Sequence, residues 1–212
     1  MHICINLKNQ LNGHLALFGA QIVYALNYSI AKGLMPQFIS PIALVFYRII
    51  GAFTLFYILS LFLPKEKIET KDLKKLVILS IFGVVINQLF FIYGLSLTTP
   101  INSSVIMISN PIIVFVFTLI VLKEKLTWNK ITGLILAIIG CYIILRYRGN
   151  FEIGSETITG DLMTLINATS WAIFVVLAKP IMVKYNTVTV MKWIFLFGSI
   201  LMLLGIISIY ST

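Results

Sequence analysis

The sequence predicts an all-α protein, a polytopic membrane bundle of about seven spanning helices. Of its 212 residues 59% are hydrophobic and only 11% are charged, whereas soluble domains carry roughly 25% charged residues. The apolar residues are also collected into long runs, and a helix that crosses a bilayer needs about 20 such residues. A soluble domain of this length could not hide so much apolar surface in one core. We therefore expect the chain to lie in a lipid bilayer.

Seven apolar runs follow one another along the chain, separated mostly by short polar connections. They cover residues 14–34, 41–63, 73–97, 101–122, 131–147, 160–179 and 188–210. Lipid offers no partners to backbone N–H and C=O groups, so each run is expected to form a helix. A transmembrane β-barrel would need alternating segments of about ten residues, and the sequence lacks them.

Taken in order, the runs differ in what interrupts them. The first follows a polar tail, and the second contains Arg48 about eight residues from its start. The third follows a lysine-rich connection at 64–72, and the fourth carries Pro111 in mid-span, where proline removes a backbone hydrogen bond. The fifth is separated from the sixth by 148–159, a connection with Gly, Asn and Ser, and the seventh ends near Tyr210.

The distribution of basic residues predicts the topology. If the N-terminus is cytoplasmic, the cytoplasmic segments hold twelve of the 16 basic residues and the opposite side only three, Lys32, Arg146 and Arg148. The cytoplasmic set is Lys8, Lys65, Lys67, Lys71, Lys74, Lys75, Lys123, Lys125, Lys130, Lys179, Lys184 and Lys192. Such an imbalance follows the positive-inside rule. It predicts a cytoplasmic N-terminus, a C-terminus outside, and basic loops rather than a nucleic-acid-binding surface as the source of the +9 charge.

A weak internal repeat relates the sixth and seventh runs to the first and second. A shift of 147 positions pairs Gly13 with Gly160, Ala25 with Ala172, Ala31 with Ala178, Lys32 with Lys179, Met35 with Met182, Gly51 with Gly198, and aromatic Tyr24 with Trp171. A repeat of five helices is odd-numbered, so its second copy starts from the opposite side of the membrane, as in many secondary transporters. We expect a five-helix unit at 1–149 and an incomplete second copy at 150–212.

Four of the runs carry a stripe of polar and small residues. The candidate cavity residues are Tyr24, Asn27, Arg48, Asn87, Ser103, Asn110 and Trp171. Polar side chains are costly against lipid and usually face the bundle interior or a wet cavity. They also serve as contacts between packed helices, and both interpretations stay open for each residue. Arg48 could bind a carboxylate or phosphate of a substrate, or it could tie helices together.

The spans lack the groups that catalysis or metal binding would need. They contain no paired carboxylates, no His pair at ligand spacing and no Ser/His/Asp set. We therefore expect no enzyme, no metal and no cofactor.

Several segments in order resemble the EamA-type drug/metabolite transporter superfamily. They are Tyr24-Ala25-Leu26-Asn27, Pro41 with Tyr47-Arg48, Gly94-Leu95, Thr98-Thr99-Pro100, Ser103-Ser104, Asn110-Pro111, Leu122-Lys123-Glu124-Lys125-Leu126, Gly133, Gly140, Gly160-Asp161-Leu162 and Ser170-Trp171-Ala172. The superfamily has a Trp in its first helix where this chain has Tyr24.

The resemblance implies ten helices in two inverted five-helix repeats, and alternating access to a central cavity. It implies export of small metabolites, amino acids or drug-like solutes across the bacterial inner membrane. The chain ends after its seventh run, so we expect a truncated gene, a fragment or a partial gene model, with self-association or further C-terminal helices as partners. The alternatives from other classes are a seven-helix receptor or sensor, which the lysine distribution disfavours, and a non-transporting fragment.

Overall fold

The computed structural model of the chain describes residues 7–35, 37–123, 127–147 and 157–210. These ranges contain seven helices and no strand. The helices are α1 Leu7–Leu34, α2 Pro41–Leu61, α3 Thr70–Leu97, α4 Pro100–Val121, α5 Trp128–Tyr147, α6 Ile158–Lys184 and α7 Thr187–Tyr210. The predicted all-α helical bundle is therefore confirmed, with one helix for each apolar run.

Five of the seven helices are longer than the apolar runs that predicted them, whereas α4 equals its run in length and α2 ends at Leu61, two residues before its run does. Helix α1 begins at Leu7 rather than at residue 14, and α6 continues through Pro180 to Lys184 rather than ending at 179. The hydrocarbon core limits only the apolar part of a helix, and polar turns continue beyond it. Within the described ranges α2, α3, α4, α6 and α7 are long and apolar enough to cross a membrane. The expected boundary between two units at residue 149, and Glu124 of the resemblance, lie outside the described residues.

Proline and a capping hydroxyl fix the starts of α2 and α4. Ser40 precedes Pro41, and its Oγ accepts a hydrogen bond from the Ala43 N–H at 3.4 Å. Thr99 precedes Pro100 in the same way, and its Oγ1 accepts from the Asn102 N–H at 3.0 Å. Proline suits the first helical position because that residue's N–H would have no helical partner.

Two helices are interrupted in mid-span. Helix α3 contains a π-helical segment at Ile81–Ile86. Helix α4 is divided at Ser109 into Pro100–Ile108 and Asn110–Val121. The break in α4 lies two residues before Pro111, which cannot donate a backbone hydrogen bond. Both interruptions change the direction in which the following residues point.

The closest packing in the bundle joins α3 to α6 through glycine. A Cβ atom added to Gly160 would lie 2.7 Å from the Thr98 backbone nitrogen and 2.8 Å from the Gly94 carbonyl oxygen. Gly83 packs in the same way against the ring of Phe174. Small residues allow membrane helices to approach each other's backbones and so gain van der Waals contact. The α3–α6 contact therefore requires glycine at these positions.

Helix α7 completes a compact core with α2 and α3. The buried side chains are Val45 and Ile49 from α2, Leu76, Leu79, Ile92 and Leu95 from α3, and Val190 and Ile194 from α7. The rings of Phe56 and Phe195 stack at 5.6 Å between α2 and α7.

Charged residues hold neighbouring helices together at each end of the bundle. At one end the buried Asp72 carboxylate accepts hydrogen bonds from Lys184 Nζ at 2.7 Å, Lys75 Nζ at 3.0 Å and the Tyr185 hydroxyl at 3.0 Å. Glu69 also pairs with Lys184 at 2.6 Å, and hydrogen bonds from Lys184 and then Lys71 lower the pKa of Glu69. The α2–α3 and α6–α7 connections therefore lie at the same end, in agreement with the relative topology predicted from the lysines.

The other end is held by Lys32. Its Nζ donates to the carbonyl oxygens of Leu95 at 2.8 Å, Ser96 at 2.9 Å and Thr98 at 2.8 Å. These carbonyls belong to the C-terminal end of α3, where a cation is favourable. The Thr98 hydroxyl also donates to Asp161 at 2.6 Å, so the ends of α1 and α3 meet the start of α6.

The close packing of Gly160 predicts that alanine substitutions at Gly160 and at Gly13, which the predicted repeat pairs, have different effects on stability. Gly160→Ala forces a methyl group into backbone atoms of α3, and we expect it to destabilise the bundle by about 1–3 kcal/mol. Gly13→Ala is the matched control, since no atom lies within 4 Å of a Cβ added there. It should be neutral, or stabilising by up to about 1 kcal/mol through helix propensity. Unfolding of both variants in mixed micelles provides the measurement, and equal effects would contradict the contact.

Candidate functional site

A cavity of about 840 Å³ lies between α1, α2, α3, α4 and α6. Its polar lining comes from amide, hydroxyl and guanidinium groups, and its apolar lining from aromatic rings, Met107, Ile108 and two prolines. The lining residues are Gln21, Tyr24, Ala25, Asn27, Tyr28, Ser29, Arg48, Asn87, Gln88, Phe91, Pro100, Ile101, Ser104, Met107, Ile108, Asn110, Pro111, Asn167 and Trp171. Its size falls within the range of small-molecule sites, about 300–1,000 Å³.

The structure brings six of the seven candidate residues to this cavity. They are Tyr24, Asn27, Arg48, Asn87, Asn110 and Trp171. Ser103 is not among the lining residues: it is fully buried, and its Oγ lies 3.4 Å from Thr164 Oγ1 of α6. Successive residues of a helix point in directions about 100° apart, and the neighbouring Ser104 lines the cavity instead.

Arg48 is held by side chains from two other helices. Its Nε donates to Gln88 Oε1 at 3.1 Å, and its Nη1 donates to Asn27 Oδ1. The guanidinium carbon lies 5.8 Å from the centroid of the Phe91 ring, within cation–π distance. Both hydrogen-bond acceptors are neutral amides. Among the cavity-lining residues that the structure describes, Arg48 is the one charged side chain.

Two asparagines join α3 to α6 at the cavity wall. Asn167 Nδ2 donates to the Asn87 carbonyl oxygen at 2.8 Å, and Asn87 Nδ2 donates to the Asn167 carbonyl at 3.5 Å. The buried Oδ1 atoms of Asn167 and Asn110 have no hydrogen-bond partner in the described part of the chain. Buried polar atoms rarely stay unsatisfied, so these two oxygens are unused acceptors in residues that form the cavity wall.

The polar stripes divide between the two interpretations that the sequence left open. The stripe on α3 consists of Ser80, Gly83, Asn87 and Gly94. Ser80 is buried, Gly83 packs against Phe174, and Gly94 packs against Thr164 of α6. Asn87 belongs to the same stripe but also lines the cavity. Small residues in these stripes therefore pack helices, while the larger amides reach the cavity.

Some lining residues were not among the sequence candidates. Gln88 directly follows Asn87, and both line the cavity just after the π-helical segment, a feature frequent at functional sites. Tyr28 packs edge-on against Phe91 with ring centroids 5.2 Å apart. The sequence could have identified both residues only by their position, because Gln88 follows Asn87 and Tyr28 follows Asn27.

Comparison with known proteins gives a family match over most of the helical region. Residues 11–146 match the model of the EamA-like transporter family. An uncharacterized transporter of Archaeoglobus fulgidus is 30% identical over 176 residues, which cover 83% of this chain and 59% of that protein. The uncharacterized transporter YyaM of Bacillus subtilis is 29% identical, covering 80% of this chain and 56% of that protein.

A plant relative and a solved structure extend the comparison. A WAT1-related protein of Arabidopsis thaliana is 26% identical, covering 81% of this chain and 54% of that protein. The chain therefore spans little more than half the length of these curated relatives. A solved crystal structure superposes with a TM-score of 0.62 at 18% identity, covering 85% of this chain and 63% of its own, which shows likeness of fold alone.

The different surroundings of two adjacent serines predict different thiol accessibility. In a background whose Cys4 and Cys141 are replaced by alanine, we expect Ser104→Cys to react with a water-soluble maleimide, because Ser104 lines the cavity. Ser103→Cys is the matched control and should react much more slowly, since Ser103 is fully buried against α6. Mass spectrometry of the labelled protein in nanodiscs measures both rates. Faster labelling at position 103 would contradict the described helix orientation.

Proposed function

The chain belongs to the EamA-like transporter family, and we propose that it carries small solutes across a membrane through the cavity between α1, α2, α3, α4 and α6. The observation that carries this proposal is a cavity of solute size with six amide side chains and one guanidinium inside a bundle of mostly apolar helices. Polar groups at membrane depth are costly to maintain and typically mark a substrate pathway. Catalysis is no part of the proposal.

The interrupted helices support an alternating-access mechanism. Substrate sites of secondary transporters are typically built near the bilayer midplane by discontinuous helices. Here the break at Ser109 adjoins Asn110 and Pro111, and the π-helical segment of α3 adjoins Asn87 and Gln88. We propose that these segments absorb the change between states open to either side.

The direction and location of transport are proposed from the family and the charges. We propose export of small metabolites, amino acids or drug-like solutes across an inner (plasma) membrane, with the N-terminus in the cytoplasm. The Asp72 and Glu69 cluster would then lie at the cytoplasmic end and Lys32 at the outer end. The concentration of lysines near the first of these ends supports this orientation.

An uncovered face on α1 and α2 supports an inverted repeat with units at 1–149 and 150–212. Gly160 and Gly198 in α6 and α7 pack closely against α3, and a Cβ added to Gly198 would lie 2.6 Å from Val84 Cγ1. Their equivalents under the repeat, Gly13 and Gly51, have no atom within 4 Å of an added Cβ. We propose that a helix equivalent to α3 covers this face, supplied by a further part of the protein or by a second copy.

The proposed orientation can be measured from intact cells. A single cysteine at exposed Lys67, in the cysteine-free background, should resist a membrane-impermeant maleimide until the cells are permeabilised. A cysteine at exposed Ile158, at the start of α6 near Asp161, is the opposite-side control and should react without permeabilisation. Labelling of position 67 from outside would overturn the orientation.

The need for a covered α1–α2 face can be tested by transport. Proteoliposomes of the 212-residue chain can be compared with those of a fusion that adds the part of the Archaeoglobus fulgidus relative that the match does not cover. Counterflow of a panel of radiolabelled amino acids should occur with the fusion and be absent or leaky with the shorter chain, whose α1–α2 face is uncovered at Gly13 and Gly51.

Two outcomes would contradict different parts of this proposal. Equal counterflow from a shorter chain shown to be monomeric by cross-linking would contradict the requirement for cover. If no solute of a wider panel of metabolites and drug-like compounds exchanged through the fusion either, transport through the cavity would be wrong.

A further inference from the structure

We propose that the cavity is an anion site in which Arg48 recognises the carboxylate of small organic acids. This inference rests on the proposed transport function and specifies the class of solute. The starting observation is that Arg48 is the only charged group among the described cavity-lining residues. In a cavity surrounded by apolar helices its charge favours an anion and disfavours a cation.

Arg48 differs from the other cations that the bundle holds at its ends. All three Nζ donors of Lys32 are accounted for by the carbonyls at the end of α3. Lys184 is neutralised by the carboxylates of Glu69 and Asp72. Arg48 meets only the neutral acceptors Gln88 Oε1 and Asn27 Oδ1, which use two of its five N–H groups. A structural cation would be satisfied as Lys32 is, whereas Arg48 retains both charge and donors.

The two amides also orient the guanidinium. Bonds to Nε and Nη1 come from different helices, α3 and α1, and the Phe91 ring lies beside the group. A fixed guanidinium plane can offer two parallel N–H groups to a carboxylate, the strong bidentate geometry. A solute therefore meets a prepared donor pair and loses less conformational entropy on binding.

The charge count favours a carboxylate over a phosphate ester. A phosphate monoester carries about 1.5 to 2 negative charges at neutral pH, and the described lining offers a single positive charge to balance it. A monocarboxylate matches that charge. Rings of Tyr24 and Trp171 line the cavity and can contact an apolar body of the acid.

The quenching of Trp171 fluorescence by charged quenchers reports the charge of the cavity, and it does not require the natural solute. In a variant with Trp128 and Trp193 replaced by phenylalanine, Trp171 is the one remaining indole. We measure quenching of its fluorescence by iodide, caesium and acrylamide in neutral-lipid nanodiscs. Iodide should quench severalfold more than caesium. Arg48→Gln leaves no charged side chain among the described lining residues, so it should remove most of this difference and leave acrylamide quenching unchanged. Lys67→Gln, a control at an exposed loop lysine, should change nothing.

The second arm tests the carboxylate with benzoate and benzamide, which have nearly the same shape. Benzoate should protect Trp171 from iodide at concentrations at least tenfold lower than benzamide. Arg48→Gln should abolish that preference, and Arg48→Lys, which keeps the charge but loses the planar fork, should retain it in part. The comparison in the single-tryptophan protein with Arg48 intact does not depend on the folding of any Arg48 variant.

The results separate this inference from transport itself. Equal protection by benzamide, no protection by benzoate, or iodide quenching that is unaffected by Arg48→Gln would overturn anion recognition and leave solute transport standing. An intact benzoate preference together with an absence of counterflow in liposomes would instead count against transport alone.

Discussion

The backbone contact between α3 and α6 is the constraint on which the rest of this structure depends. Gly94 and Gly160 let the two helix backbones approach closely, and the small side chain of Thr164 packs beside Gly94. Ser103 packs against Thr164 and does not line the cavity, whereas Asn87 of α3 and Asn167 of α6 do. Helices α1 and α4 complete that wall. The position of the cavity therefore follows from where two glycines allow a close approach.

The lipid solvent explains where the polar groups are placed. Cations near the ends of the bundle, such as Lys32 and Lys184, are saturated by carbonyls or carboxylates. Arg48 is far from either end of α2 and is surrounded by amides and rings. A buried charge on a spanning helix costs roughly 2.5–3.5 kcal/mol on insertion scales. Arg48 can remain in the middle of α2 without a protein counter-charge if a bound solute supplies the negative charge.

Much of the fold could be predicted from the sequence because bilayer thickness dictates the length of apolar runs. The seven helices and their order follow from that constraint alone, and six candidate residues reach one cavity because polar groups avoid lipid. Ser103 could not be distinguished from Ser104 without knowing which helix crosses α4. The π-helical segment of α3 has no residue signature in Ile81–Ile86. The predicted repeat pairs Gly13 with Gly160, yet only their neighbours in the structure reveal that Gly160 is packed and Gly13 has no atom within 4 Å of an added Cβ.

The central claim is that solutes pass through the cavity beside the α3–α6 crossing. The most direct measurement is solute flux through proteoliposomes before and after a bulky maleimide is attached at Ser104→Cys, using the transport-competent form with α1 and α2 covered. Complete modification of the cysteine at position 104 should stop solute flux, whereas flux through the cysteine-free protein treated with the same reagent should be unchanged. Undiminished flux through fully modified protein would contradict it.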